Sequence, residues 1–106
     1  PAEPVPPYTM DWSETGREER LWQAAARHLV AKSGDPMPGD VLLFRMAPGA
    51  VAKHLGVQAE IGRTPTFIHA YSGHGVVESA LSRPWSRRIV ARFAFPQLTP
   101  NLTREA

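Results

Sequence analysis

Short apolar segments, separated by turns that contain proline and glycine, occupy the chain from Pro38 onward and restrict it to a fold built around a sheet. Residues 41–44 form a nearly continuous apolar run, which is typical of a buried strand. Pro48 and Gly49 then mark a turn. Because strands joined by short connections usually pair with one another, we expect an antiparallel sheet rather than alternating helix and strand units.

The same pattern of apolar segments and breaks predicts four further strands. We expect them at residues 51–59, 67–71, 76–79 and 89–95. The glycine-rich stretch 72–75 predicts that two of these strands form a hairpin. Residues 89–95 alternate apolar and polar positions, which indicates an edge or half-buried strand. Pro84 and Trp85 are expected to interrupt the chain before it.

One helix is predicted before the sheet, over residues 16–32. Thr15 and Glu18 fit a capping box at its start, and Gly34 is expected to end it. Apolar residues recur at helical spacing and define one face: Leu21, Trp22, Ala25, Ala26 and Leu29.

The predicted fold class is therefore α+β, with one helix followed by an antiparallel sheet of about five strands. We expect a single domain over residues 1–106. It comprises an extended, proline-rich lead-in at 1–12, the helix at 16–32, the sheet across 40–95 and a polar tail at 96–106.

Composition excludes several functions. The chain has no cysteine, so it forms no disulfide or thiolate metal site and supplies no cysteine nucleophile of its own. The formal charge of +2 is too small to indicate nucleic-acid binding, and no apolar run is long enough to indicate membrane insertion. Arg83, Arg87 and Arg88 cluster; we interpret them as a solvated rim, with a phosphate-binding patch as the alternative.

Two histidines are candidates for chemistry, because His54 and His69 both lie in apolar strand segments. A buried imidazole is costly unless its nitrogens are hydrogen-bonded. On adjacent antiparallel strands the two rings can be cross-strand partners, with Cβ atoms about 5 Å apart. One ring could then act as a base while the other fixes its tautomer. The alternative is that both are satisfied core residues, and spacing alone does not decide between the two.

The other polar candidates have structural explanations. His28 falls in the last helical turn, where a cation favours the helix dipole. His74 lies between two glycines in a turn and is expected to be solvated. Asp40 is expected to form local turn hydrogen bonds. No histidine pair has helical i, i+4 spacing and no cysteine joins them, so no metal site is predicted.

Three motifs together resemble the NlpC-type cell-wall cysteine peptidases, a papain-like family. Pro-Gly-Asp-Val-Leu-Leu-Phe at 38–44 resembles the family's Pro-Gly-Asp-Leu-Val-Phe-Phe strand. His-Leu-Gly-Val at 54–57 resembles its His-Val-Gly-Ile, and Phe-Ile-His-Ala at 67–70 resembles its next strand. The stretch 67–79 is similar to the phage-tail and gene-transfer-agent branch. The resemblance covers residues 38 to about 95.

The resemblance implies a function and a site. His54 would be the catalytic base, His69 would orient it, and no cofactor would be needed. The substrate would be bacterial peptidoglycan, often at the bond between γ-D-glutamate and a diamino acid. The partners would be hub proteins of a phage-like tail or baseplate. The protein would be made in the bacterial cytoplasm, carried at the tail tip or baseplate, and act in the envelope of the target cell.

The family's nucleophile is what the chain lacks. The family carries a cysteine at the start of an earlier helix, in a stretch such as Asp-Cys-Ser-Gly, and nothing here matches it. We expect the Cys segment to precede Pro1. The alternative is a structural tail-tip or baseplate component that keeps the NlpC-type fold without catalysis. If the helix that follows the cysteine is absent, an apolar surface beside His54 should be exposed or covered by another chain, whereas a sheet already closed beside His54 would favour the structural alternative.

Overall fold

A six-stranded antiparallel sheet forms the centre of residues 18–96, the part of the chain that the computed structural model describes. The helices are α1 (Arg20–His28) and α2 (Arg83–Ser86), and the strands are β1 (Val30–Ala31), β2 (Val41–Phe44), β3 (His54–Glu60), β4 (Thr66–Tyr71), β5 (Gly75–Ala80) and β6 (Ile89–Ala94). The strand order is β1-β6-β2-β3-β4-β5. The α+β class is confirmed. The predicted lead-in and residues 97–106 of the predicted tail lie outside the described residues.

Helix α1 is shorter than predicted. Its N-cap is Glu19, and Glu18 lies before the helix, so the predicted start is wrong for the described residues. Thr15, the other member of the predicted capping box, lies outside the described residues. The Glu19 carboxylate makes no cap bond but accepts the Ala52 N–H at 2.8 Å. The predicted end at residue 32 is also wrong. The backbone becomes extended at Leu29, and the strand that follows, β1, pairs with β6.

Most strand predictions hold to within a few residues, because proline and glycine mark the breaks. β2 has its predicted bounds, while β3 begins at His54 rather than at residue 51. β4 and β5 form the predicted hairpin. β6 lies between β1 and β2, so it is half-buried but is not an edge strand. The sixth strand of the sheet is the two-residue β1, which lies within the segment predicted to be helical.

The sheet has a core on each face. On one face the apolar side of α1 packs against strands β2 and β6; this core contains Leu21, Trp22, Ala25, Leu29, Val41, Leu43, Val90, Ala91 and Phe93. On the other face α2 covers the sheet; this core contains Leu42, Phe44, Met46, Phe67, Tyr71, Trp85 and Ile89. Ala26, predicted for the apolar face of the helix, is exposed.

A buried ionic cluster lies at the start of β2. Asp40 is 3% exposed, and its carboxylate accepts hydrogen bonds from Lys32 at 2.9 Å and Arg92 at 2.8 Å. It also accepts the Met37 N–H at 2.9 Å, which is the local turn bond that was predicted. Burial alone would raise the pKa of Asp40, but the two cations and the backbone amide outweigh it and lower the pKa. The ionised Asp40 side chain therefore connects the start of β2 with Lys32, which follows β1, and with Arg92 on β6.

Candidate active site

His54 and His69 meet on the face of the sheet that α2 covers. They lie on the adjacent antiparallel strands β3 and β4, and His54 Nε2 is 2.9 Å from His69 Nδ1. The prediction that the two rings share a face of neighbouring strands is confirmed. They are diagonal neighbours rather than directly opposite partners, because the residue opposite His69 is Gly56. A diagonal pair is within reach of two side chains as long as imidazole.

Gly56 leaves room for this diagonal contact. A Cβ atom at this position would lie 2.7 Å from Phe67 Cδ2 and 3.3 Å from Phe44 Cε1. Such distances are shorter than van der Waals contact, so a larger residue would push the aromatic rings that support the histidines. The glycine of the His-Leu-Gly-Val motif is therefore explained by packing.

A hydrogen-bonded chain continues from the histidines to Ser79. His69 Nε2 is 2.9 Å from Ser79 Oγ, which lies on β5. One proton arrangement has His54 Nε2–H donating to His69 Nδ1 while His69 Nε2–H donates to Ser79 Oγ. In that arrangement His54 Nδ1 carries a lone pair and is basic. In the reverse arrangement the Ser79 hydroxyl donates to His69 Nε2, His69 Nδ1–H donates to His54 Nε2, and His54 carries its proton on Nδ1. The direction in which the Ser79 hydroxyl points is therefore linked to the tautomer of His54.

Aromatic rings enclose the imidazole pair. Trp85 of α2 lies 5.5 Å from His54 and 5.0 Å from His69 between ring centroids. Phe67 stacks on His69 at 4.2 Å, and Phe44 contacts His54 edge-on at 5.6 Å. His54 and His69 are only 5% and 3% exposed as a result. The site is thus a small aromatic box that excludes water from both rings.

This enclosure changes the acidity of His54. Burial, together with repulsion from the neighbouring His69, lowers the pKa of His54 to about 4. His54 is therefore neutral at pH 7, which is the state that can accept a proton.

The free energy of unfolding should consequently fall as the pH drops from about 6.5 toward 4. In this window the unfolded chain protonates His54 while the folded chain resists protonation. We expect His54 to contribute a loss of about 2 kcal/mol between pH 7 and pH 5. Denaturant unfolding at the two pH values would measure the loss, and an NMR titration would follow the His54 ring directly.

The variant His54→Gln provides the control for that measurement, because it lacks the buried imidazole. A His54 ring that titrated near the ordinary histidine value of about 6.5 would contradict the lowered pKa. In the unfolding experiment, His54→Gln should lose less stability than the original chain between the two pH values.

The expected open apolar surface beside His54 is not present in the described part of the chain. The box formed by Trp85 and the two phenylalanines covers this side of the sheet. The exposed large apolar side chains of β3, β4 and β5 are instead Leu55, Ile68 and Val76, at 38%, 38% and 74%. They alternate with His54, His69 and Val77 along their strands and therefore point to the opposite face. That expectation was wrong because Trp85, predicted only to interrupt the chain, lies in a helix over the histidines, and the closed face favours the structural alternative.

The remaining polar candidates lie away from this site. His28 is an exposed residue of the last turn of α1, and His74 is an exposed turn residue, both as predicted. Asp40 belongs to the ionic cluster. Within residues 18–96 no group of three or more histidine, aspartate or glutamate side chains is arranged to hold a metal ion.

Two members of the site were missed by the sequence analysis. Ser79 was identified only as the last residue of a predicted strand. Trp85 was identified only as part of an interruption before the next strand. The register of the β4–β5 hairpin, which puts Ser79 opposite Phe67, was the one signal that could have found the serine.

No protein-family model, curated protein or solved structure matches this chain. In residues 18–96, the structure contains no helix that is long and apolar enough to cross a membrane. The fold and site therefore define an α+β domain with a buried, hydrogen-bonded histidine pair.

Proposed function

We propose that this chain supplies the base and the orienting residue of a papain-like, NlpC-type cysteine peptidase that cleaves peptidoglycan peptides in a phage-like tail. The thiol would come from a Cys segment outside the chain. The observation that carries the proposal is the hydrogen-bonded series His54–His69–Ser79. In it the His54 ring is held by His69, and His69 is held by Ser79. The motifs around both histidines resemble those of this family.

The chemistry requires a neutral imidazole beside a thiol. A thiol near its ordinary pKa is mostly protonated at pH 7, and an adjacent base raises the thiolate fraction. With His54 Nε2–H donating to His69, the Nδ1 lone pair of His54 would accept the thiol proton. The imidazolium would be stabilised by the nearby thiolate, which offsets the effect of burial on the pKa. His54 would later return the proton to the leaving amine.

A second function is favoured by one specific observation, the near-complete burial of both imidazoles. Buried, neutral and mutually hydrogen-bonded histidines are also what a structural core needs. In that case the chain is a non-catalytic component of a tail tip or baseplate. The two functions differ in whether His54 exchanges a proton with a thiol.

The test compares the 106-residue chain with a longer protein that carries the upstream Cys segment. Each is incubated with purified peptidoglycan, and released muropeptides are separated by chromatography. We expect the longer protein to release peptide fragments and the 106-residue chain to release none, because the chain has no thiol.

The matched control is the longer protein with its cysteine replaced by serine, which should be inactive. Fragment release by the 106-residue chain itself would contradict a cysteine mechanism. A longer protein that binds tail components but releases nothing would favour the structural function.

A further inference from the structure

A cleft that carries three arginines opens where β2 leaves the sheet. Its volume is about 450 Å³, which is in the range of small-molecule sites. Residues 45–48, which directly follow β2, form one wall, and residues from α2 to the start of β6 form the other. The Arg45 N–H donates to the Arg88 carbonyl at 2.8 Å and joins the two walls. The shape of the cleft is therefore fixed by the pairing of its walls.

Two of the three guanidiniums are held in different ways. Arg88 is half-buried and donates to the carbonyls of Pro84 at 2.6 Å and Met46 at 3.3 Å. These carbonyls are neutral, so they orient the Arg88 charge without compensating it. Arg45 differs, because its charge is paired with the Glu19 carboxylate at 3.0 Å. The cleft therefore contains one compensated arginine and one that is held in place without a counter-ion.

Arg87 is the third arginine and is exposed at the cleft. Among residues 18–96 its guanidinium makes no hydrogen bond or ion pair. The sequence explains why, because residues 41–59 and 79–104 contain no aspartate or glutamate. Both walls come from these two stretches, so neither wall supplies a carboxylate. The charges of Arg87 and Arg88 are thus left without a counter-ion in the described part of the chain.

The structure divides the arginine cluster that the sequence analysis identified. Arg83 is exposed and does not line the cleft, in agreement with a solvated rim. Arg87 and Arg88 do line it, which favours the phosphate-binding alternative for these two residues.

We infer that this cleft binds the phosphate group of a small phosphomonoester, with Arg87 and Arg88 as its contacts. A phosphomonoester carries about −1.5 to −2 charges at pH 7, which matches two guanidiniums better than a singly charged carboxylate does. The planar guanidinium also donates two parallel hydrogen bonds to phosphate oxygens. The site is separate from the histidine pair and goes beyond the proposed function.

The remainder of the ligand is expected to be small and apolar. Met46, Pro48 and Pro84 line the cleft beside the arginines, and they offer contact surface that a bare phosphate ion would leave unused. Proteins that bind nucleic acids usually contact more phosphates than two arginines can hold. A small phosphorylated molecule with an apolar group therefore fits the cleft better than a nucleic-acid backbone.

The experiment measures binding of phenyl phosphate to the 106-residue chain by NMR titration of the arginine Nε–H signals. Phenyl sulfate is the matched ligand, because it has a similar shape and the same ring but a single negative charge. Inorganic phosphate is the second comparison, because it lacks the apolar group. We expect each of these two to bind about tenfold more weakly than phenyl phosphate. Arg87→Gln should weaken binding of phenyl phosphate by a similar factor, whereas Arg87→Lys should weaken it less.

Arg63→Gln is the matched control variant, because it removes the same charge from an exposed residue between β3 and β4, outside the cleft. It should leave binding unchanged. Binding of phenyl phosphate no tighter than that of either comparison ligand would overturn the inference, and so would unchanged binding by Arg87→Gln. Tighter binding of a single-stranded oligonucleotide, or of vesicles that contain phosphatidate, would overturn it in favour of a polyanionic partner. The titration needs neither a thiol nor the histidines, so its result is independent of whether a longer protein hydrolyses peptidoglycan.

Discussion

Replacing His54 with alanine in a longer protein that carries the Cys segment should lower kcat/KM for peptidoglycan peptides by about 10²–10⁴-fold. The range is the usual contribution of a general base that acts together with a nucleophile. His69→Ala should cost less, because this residue holds His54 through a 2.9 Å hydrogen bond and does not itself exchange a proton with the thiol. Initial rates of muropeptide release would measure both losses.

The control in this series is His74→Ala, which changes an exposed turn residue and should leave the rate nearly unchanged. Because His54 is buried, thermal unfolding of each variant must accompany the kinetics, and His54→Gln provides a second, more conservative change. For His69→Ala we also expect a shifted pH profile, since its ring fixes the His54 tautomer. Equal losses at His54 and His74 in folded variants would contradict the proposed roles.

Replacing Asp40 with alanine should lower the free energy of unfolding by about 3–5 kcal/mol, the usual cost of removing one partner from a buried ion pair. The side chains of Lys32 and Arg92 are only 20% and 16% exposed and would be left without their counter-ion. Arg92 would keep its 2.9 Å bond to the Gln58 amide oxygen, which is neutral. Equilibrium unfolding in urea would measure the change.

Asp35→Ala is the matched control for this prediction. Asp35 is exposed, and no ion pair occupies it among the described residues, so its loss should change stability by less than about 0.5 kcal/mol. A similarly small effect at Asp40 would contradict the prediction, because removal of one partner should leave Lys32 and Arg92 as uncompensated, largely buried charges.

Local chemistry explains which parts of the fold were predictable. The strand limits followed from proline and glycine, which act on the residues next to them. The end of α1 did not follow, because Leu29 continues the apolar face of the helix and no local signal stops it there. Val30 and Ala31 leave the helical conformation to pair with Ala94 and Phe93, near the other end of the described chain. A pairing over such a separation is not encoded in the neighbouring residues.

The candidate site divides in the same way. His54 and His69 were found because each stands in a recognisable strand motif, and the sheet then places their rings within hydrogen-bond distance. Ser79 joins them through the register of a hairpin, and Trp85 through the packing of a four-residue helix onto the sheet. Asp40 was predicted for its turn, but its ion pairs depend on β6 lying beside β2 and on β1 lying beyond β6. Contacts that depend on strand register and helix packing can be predicted only when the arrangement of the whole sheet is known.

The place of β6 between β1 and β2 has a consequence for how the chain folds as it is synthesised. The last strand of the sheet in chain order fills an interior position, so the nascent chain shows one edge of β2 unpaired until residues 89–94 have left the ribosome. Among the strands of residues 18–96, β1 pairs with β6 alone, so it has no neighbour there until the same moment. Pairings of such high contact order form slowly, and unpaired edges invite association with other chains. The nascent chain is therefore most vulnerable to aggregation just before its final strand arrives.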